Sequence, residues 1–442
     1  MKFKKFGQIG LALAVSLGLG FGITSCSNNF TVAYLYVTAS QYNQIGGFNI
    51  LNNTGNLKAV SKSPFGSGGT DPLRAVVSSG GRFLYVLNHG TSSTDASGNV
   101  TYTGSNISVF SIGGNGTLAF QQSYTSQGTG SLRLGFSSAG SYLYVLDEYT
   151  PQKNANGDII TASNTESDAF PCPDPTTAGL WHPVGDITAF SVDNNTGRLS
   201  LITNNQQQDS SGSQLTTFPV GCYPIDQKVS AGYVLVAQTG PEPGTTNYQT
   251  VFEYALNSTT GQLTLTQNSE LVTGADQISA ISSDQASRYI YVLDTGGNQI
   301  FYYTIGSNGL LQAVTGSPTA NVASAANPVA LTSDSKGKFL YIANAGPSSG
   351  TVNPNSVISA FTIASNGVLG LVSPPTFTTG SGPQCILEDP SNQYIYTGDF
   401  VSSTVTGHVL DPNSGNLTDL RNQTSYATVG NPTWCVSTNR PN

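Results

Sequence analysis

The chain is short of charge. Only 9% of its 442 residues are Asp, Glu, Lys or Arg, and it has three histidines, two tryptophans and one methionine. The 16 Lys+Arg are outnumbered by 24 Asp+Glu, and no basic patch offsets the excess. Such a surface repels phosphate backbones, which excludes nucleic-acid binding. His89, His182 and His408 are far apart in sequence, and no zinc-ligand spacing, Walker loop, nucleophile elbow or haem motif occurs. No metal or cofactor is therefore expected. The one weak exception is Asn154-Ala-Asn-Gly-Asp158, whose oxygens suit Ca²⁺ but lack the spacing of a defined loop; a plain turn is the better reading.

Long apolar runs are missing too, except at the start. MKFKKFGQIGLALAVSLGLGFGITSC opens with Lys2, Lys4 and Lys5 and continues without a charge. A basic segment before a short apolar one reads as an export signal, too short for a convincing membrane span. Ile23-Thr24-Ser25-Cys26 is a lipobox, so residues 1–25 are expected to be a lipoprotein signal peptide and Cys26 the lipidation site, with 26–33 as tether. An ordinary signal with a chance cysteine is the alternative. Ser27, where Asp would retain the protein at the inner membrane, points by enterobacterial habit to the outer membrane. Loss of the three leader lysines leaves 13 cations against 24 acids, a formal −11. Membrane contact is expected through the anchor alone. Four cysteines then remain, Cys172, Cys222, Cys385 and Cys435, an even number that in an exported chain suggests two disulfides, with buried free thiols as the alternative.

What the chain has is Gly, Ser, Thr, Asn and a repeat. The pattern aromatic-Leu/Ile-Tyr-Val returns at Tyr34, Phe83, Tyr142, Tyr233, Tyr289, Phe339 and Tyr394, each copy β-branched and aromatic as strands are. A second strand and an Asn-Gly or Thr-Gly hairpin follow, as in ISVFSIGGNGTLAF (107–120) and ISAFTIASNGVLGLV (358–372). A further short strand precedes the later copies, as in DPLRAVVSSGG (71–81). One unit is four antiparallel strands, a to d, over roughly 50 residues, and seven units predict an all-β, seven-bladed β-propeller over residues 34–442. The first unit starts at strand b, and GNPTWCVSTN (430–439) is a strand a with no unit after it. The C-terminal strand is expected to complete the first blade and close the ring.

The YVLN…ISVFSI…NGTL grammar resembles the seven-bladed lactonase propellers, which include the 6-phosphogluconolactonase-like and carboxymuconate-cyclising enzymes. The resemblance runs from about Tyr34 to Thr438 and implies the fold. Members believed to be enzymes carry a His-Pro-His-type segment before a strand ending Asp-Leu-Gly. The nearest local segments, GSLRLGFSSAGSYLYVLDEY and GCYPIDQKVSAGYVLVAQTG, contain no histidine, so no catalytic residue is carried over.

Propeller ligands favour the face where the b–c and d–a loops emerge. The long b–c insertions are 89–106 in blade 2 and 148–186 in blade 3, with shorter ones at 239–250 and 345–356. The longest holds Cys172, Trp181 and His182, and Cys222 opens strand a of blade 4 beside it, which suggests a Cys172–Cys222 clamp. Cys385 and Cys435 fall on neighbouring inner strands. The strand b ends, Ala39, Asn88, Asp147, Gln238, Asp294, Asn344 and Asp399, form either a ligand-lined funnel or a set of local turns. Arg74 and Arg133 occupy matching places on strand a of adjacent blades. With His89, Asp147, Glu148 and His182 they are the candidates for binding a carboxylate or polarising a lactone carbonyl; alternatively each arginine neutralises Asp147 or a neighbour. His408 reads as packed. The expected function is binding of a partner, glycan or small ligand through the loop-bearing face, with a lactone hydrolase of divergent site as the alternative.

Overall fold

Each unit of the repeat folds into one blade. The computed structural model describes residues 30–440 apart from 155, 209–211, 241–248, 307 and 348–354. The expected signal peptide, Cys26 and Ser27 lie outside the described residues, as do parts of the insertions at 239–250 and 345–356. No described residue is helical. Blade 2 shows the plan: strand a (Pro72–Val77), b (Phe83–Asn88), c (Asn106–Ile112) and d (Leu118–Tyr124) pair antiparallel in that order. The seven strands a contact one another in a closed cycle around the axis, and strands d form the rim. The rim strand is continuous in blades 2, 4 and 6 and split in the other four, as in Leu57–Ala59 and Phe65–Gly66 of blade 1.

The C-terminal strand Pro432–Asn439 pairs with the first strand, Thr31–Ala39. One blade is thus built from both ends of the chain and leaves no unpaired inner edge.

The repeated residues join blade to blade. In five of the seven strands b the second aromatic is a buried tyrosine whose hydroxyl donates to the hairpin glycine carbonyl of the next blade; blade 4 has Leu235 there, and the Tyr291 hydroxyl of blade 5 is buried without a partner. Tyr36 reaches Gly116 (2.8 Å), Tyr85 reaches Gly197 (2.9 Å), Tyr144 reaches Gly261 (3.0 Å), Tyr341 reaches Gly415 (2.9 Å) and Tyr396 reaches Gly55 (2.5 Å). The first aromatic lies flat on that glycine. At Gly197, φ is 72° and a Cβ would sit 2.7 Å from the Phe83 ring; at Gly415, φ is 76° and the Phe339 ring would be 2.4 Å away. Both the turn and the close approach therefore require glycine. The two halves of the repeat, Tyr-x-Tyr and Asn/Thr-Gly, are the two sides of one joint.

Both disulfides form, Cys172–Cys222 and Cys385–Cys435, each spanning 50 residues. Disulfides persist in oxidising compartments, which fits an exported chain. The second ties strand a of blade 7 to the closing strand. Replacing Cys385 and Cys435 together by Ser is expected to lower the unfolding free energy in urea by about 2–4 kcal/mol. Replacing Cys172 and Cys222 removes only the clamp on an insertion. That change should make residues 150–185 protease-sensitive and move the global transition by less than about 1 kcal/mol.

Candidate functional site

Every strand a carries an irregularity at the same place, just after the residue paired with the end of strand b: between Pro72 and Arg74, Ser131 and Arg133, Pro224 and Asp226, Ile278 and Ala280, Pro328 and Ala330, and Pro383 and Cys385. In the closing strand it falls between Pro432 and Trp434. A bulge re-aims the residue that follows it. Seven equivalent positions, Arg74, Arg133, Asp226, Ala280, Ala330, Cys385 and Trp434, follow the bulge, and all of them but the disulfide-bonded Cys385 line the axis.

Around half of that ring runs an electrostatic chain. Arg133 Nε donates to Asp226 Oδ1 at 2.7 Å, and Asp226 also accepts from the backbone N–H of Gln227 (3.0 Å) and, through Oδ2, of Ile281 (2.9 Å). Arg74 stacks on Trp434, its guanidinium carbon 3.9 Å from the ring centroid. Its Nη1 donates to the Thr433 carbonyl at 3.2 Å, while its buried Nε has no hydrogen-bond partner. Lys228 lies further along the same strand as Asp226. These residues, with Ala280, Ala330 and apolar side chains on the opposite side, enclose an axial cavity of about 250 Å³. Burial and then the neighbouring Arg133 push the Arg74 guanidinium well below its ordinary value, with Asp226 opposing. Burial likewise lowers Lys228, opposed by Asp226 and Asp284. Three cations thus face one carboxylate, and both oxygens of that carboxylate are already engaged.

Arg74 and Arg133 are side by side as expected, but their companions differ. Arg133 is neutralised by Asp226 and not by Asp147. No hydrogen bond among the described residues joins either arginine to His89, Asp147, Glu148 or His182. His89 Nδ1 instead meets the Ser131 carbonyl at 2.9 Å, and its ring sits edge-on to Tyr102, whose hydroxyl donates to Glu148. Asp147 is fully buried, accepting from Ser131 and from Thr188 (3.0 Å) beside an equally buried Asp186. Burial raises Asp147 to about 6, and burial plus Asp147 raises Asp186 further.

The strand b ends do not open as a funnel. Asn88, Asp147, Gln238, Asp294, Asn344 and Asp399 are each at most 1% exposed. Five of them bond a hydroxyl of strand c: Ser108, Thr188, Thr250, Ser359 and Thr406 respectively for Asn88, Asp147, Gln238, Asn344 and Asp399. Asp294 accepts from the backbone N–H of Gln277 and Gly297. These side chains tie strand b to its own blade and to the adjoining loop.

Trp181 and His182 hold the blade 3 insertion together. Trp181 exchanges backbone bonds with Ser163. His182 is buried, with Nδ1 2.6 Å from the Thr161 carbonyl, Nε2 3.0 Å from Asp174, and its ring stacked on Tyr149. Against burial, hydrogen bonds from Thr176, His182 and Thr177 hold Asp174 at about 2. Thr161 in turn bonds Asn99 and Val100, so the blade 2 and blade 3 insertions form one cap. His408 is packed, with Nε2 at the Thr378 carbonyl (2.9 Å). Asn154 and Asp158 bond each other across a turn whose residue 155 lies outside the described residues. No three His, Cys, Asp or Glu side chains gather for a metal among the described residues.

Buried carboxyls set an unusual pH response. Burial raises Asp147 and Asp399 to about 6, Glu253 to about 7 and Glu388 to about 8. A carboxyl raised in the folded state contributes stability that is full below its unfolded value near 4 and is lost as pH climbs through the folded one. The thermal midpoint is therefore expected to be higher by several degrees at about pH 5 than at about pH 8.5, and to fall again below about pH 4 as groups such as Asp174 protonate. Flat or opposite melting curves would contradict this.

Asp226, Lys228 and Trp434 were not singled out from sequence, although a signal was present. Pro72-Leu-Arg74, Pro224-Ile-Asp226, Pro328-Val-Ala330, Pro383-Gln-Cys385 and Pro432-Thr-Trp434 place the ring residue two after a strand-opening proline.

Residues 312–437 match the family model described as lactonase, 7-bladed beta-propeller. No curated protein sequence matches the chain. Among solved structures, a candidate 6-phosphogluconolactonase from Bacteroides fragilis superposes with a TM-score of 0.63 at 15% identity, covering 93% of this chain and 99% of that one. The periplasmic gluconolactonase of Pseudomonas aeruginosa gives 0.62 at 15%, covering 93% and 100%. At such identities the structural likeness is one of fold. The chain resembles the lactonase propellers by sequence in its C-terminal part and by fold throughout.

Proposed function

We propose that this lactonase-like propeller is an envelope-anchored binding protein that holds a small organic carboxylate in its axial cavity. The observation that carries the reading is the charge imbalance there: Arg74, Arg133 and Lys228 line about 250 Å³ with Asp226 as the sole acid among the lining residues. In a chain with 24 acids, a buried surplus of cations is costly unless an anion compensates it. The free Nε of Arg74 supplies a donor for a carboxylate oxygen, a charge-assisted bond. The cavity suits a ligand of hydroxy-acid size, and the gluconolactonase likeness in fold makes aldonic and aldaric acids the first class to examine. The ring lies just inside the loop-bearing face, so the capped insertions of blades 2 and 3 flank the approach.

Lactone hydrolysis is the second reading, favoured by the same likeness. Neither carboxylate among the described residues is placed as its base: Asp226 spends both oxygens on Arg133 and two backbone N–H groups, and Asp147 is buried away from the arginines. The mature chain should hydrolyse neither gluconolactone nor glucarolactone above the buffer rate, while gluconate or glucarate should raise its melting temperature. Turnover that disappears in Arg74→Met would replace the binding reading by the hydrolase.

A further inference from the structure

We infer that the face opposite the long loops rests on anionic lipid, so that the acidic loop face points away from the membrane. This deepens the anchored reading above and rests on it. Strand b of blade 1 rises from the c–d hairpin face: Phe30, immediately before Thr31, exchanges backbone and side-chain bonds with Asn52 of the first hairpin. Four residues separate Cys26 from Thr31, and four residues reach at most about 14 Å. The nine residues of Thr31–Ala39 rise about 30 Å. A lipid at Cys26 therefore brings the hairpin face to the bilayer and keeps the loop face off it.

The charges agree with this placement. Arg82, Arg198, Arg288, Lys336, Lys338 and Arg440 are all exposed, and all lie in the a–b turns, the c–d hairpins or the end of the closing strand. On that same face Asp284, Asp334 and Asp389 are buried, each accepting backbone N–H groups of its own turn, and Asp284 also accepts from Arg288 Nε at 2.7 Å. Among the described residues the exposed acids of these turns and hairpins are Asp193 and Asp411, with Asp419 exposed on the adjoining rim strand and Glu388 half-buried. The loop face is the reverse. It exposes Asp95, Asp158, Glu166, Asp168 and Asp276, and Lys153 is its one cation among the described residues. An anionic surface attracts each nearby Lys or Arg by about 1 kcal/mol and repels carboxylates. The fold thus separates charge along its axis, with the cations on the side where the chain enters.

The test couples Cys26 of residues 26–442 to maleimide lipid in equimolar phosphatidylglycerol–phosphatidylethanolamine vesicles, which supplies the tether whether or not the cell acylates Cys26. A fluorophore goes on Asn195→Cys in a c–d hairpin or on Ser97→Cys in the loop cap, attached before Cys26 is deprotected, and headgroup nitroxide quenches it. The hairpin label should be quenched severalfold more than the cap label. The bias should shrink in Arg82→Glu/Arg198→Glu/Lys336→Glu/Lys338→Glu, a variant checked for native circular dichroism. Equal quenching of the two labels, or a bias unchanged by charge reversal, overturns the inference. Mass spectrometry of Cys26 from cells separately decides the anchored reading itself.

Discussion

A chain ending at residue 430 is expected to lose cooperative folding altogether. The missing segment contains strand a of blade 1, which pairs with Thr31–Ala39 from Ala33 to Ala39. It also contains Cys435, the partner of Cys385, and Trp434, on which Arg74 stacks. Its removal leaves the inner edge of blade 1 unpaired and the core between blades 7 and 1 open, where Tyr394, Tyr396 and Leu35 pack around Val37 and Cys435. Domains of this kind are stable by roughly 5–15 kcal/mol in total, and losing a strand, a disulfide and one wall of a core together exceeds that margin. Urea titration followed by near-ultraviolet circular dichroism should show a broad, early transition for the truncated chain. A sharp transition near that of the intact chain would mean that the ring does not depend on this closure.

Asp226→Ala should be the most damaging single substitution on the axis, costing about 3–5 kcal/mol. It leaves Arg133, Arg74 and Lys228 facing one cavity without an internal anion and strips the Ile281 N–H of its acceptor. Asp226→Asn keeps an acceptor for Ile281 and should cost less. Added carboxylate should recover part of the loss in Asp226→Ala, because it replaces the missing charge. If gluconate stabilises the variant no more than it stabilises the parent, the cavity is not an anion site.

The architecture was legible because its joints are periodic. The first aromatic and the hairpin glycine recur at fixed spacing, with a tyrosine two residues after the aromatic in six of the seven strands b, since each blade packs on the next in a similar way, and a spare strand at the far end has only one place to go. The disulfide pairs were suggested by placement and not fixed by it: Cys222 opens a strand beside the insertion that holds Cys172, and Cys385 and Cys435 fall on adjacent inner strands. The site was half legible. Arg74 and Arg133 stood out as rare charges in register, but Asp226 pairs with Arg133 across 93 residues, and its neighbourhood exists only once the axis closes. The strand b ends were ambiguous for a different reason. An Asn or Asp before a loop serves a turn, a ligand or a strand c hydroxyl equally well in sequence, and here a strand c hydroxyl takes five of the six polar ends while Asp294 serves the local turn. The split outer strands left no comparable signal, because the rim packs against solvent and nothing enforces a period there.

Isothermal titration of gluconate into the mature chain tests the axial anion site most directly, with Arg74→Met as its control because Met keeps the apolar stem against Trp434. The site predicts one equivalent bound by the parent and an affinity roughly 10–100-fold weaker in the variant, the loss of a charge-assisted bond of about 1.5–3 kcal/mol. No binding heat for gluconate or glucarate in the parent, or equal affinity in the variant, would contradict it.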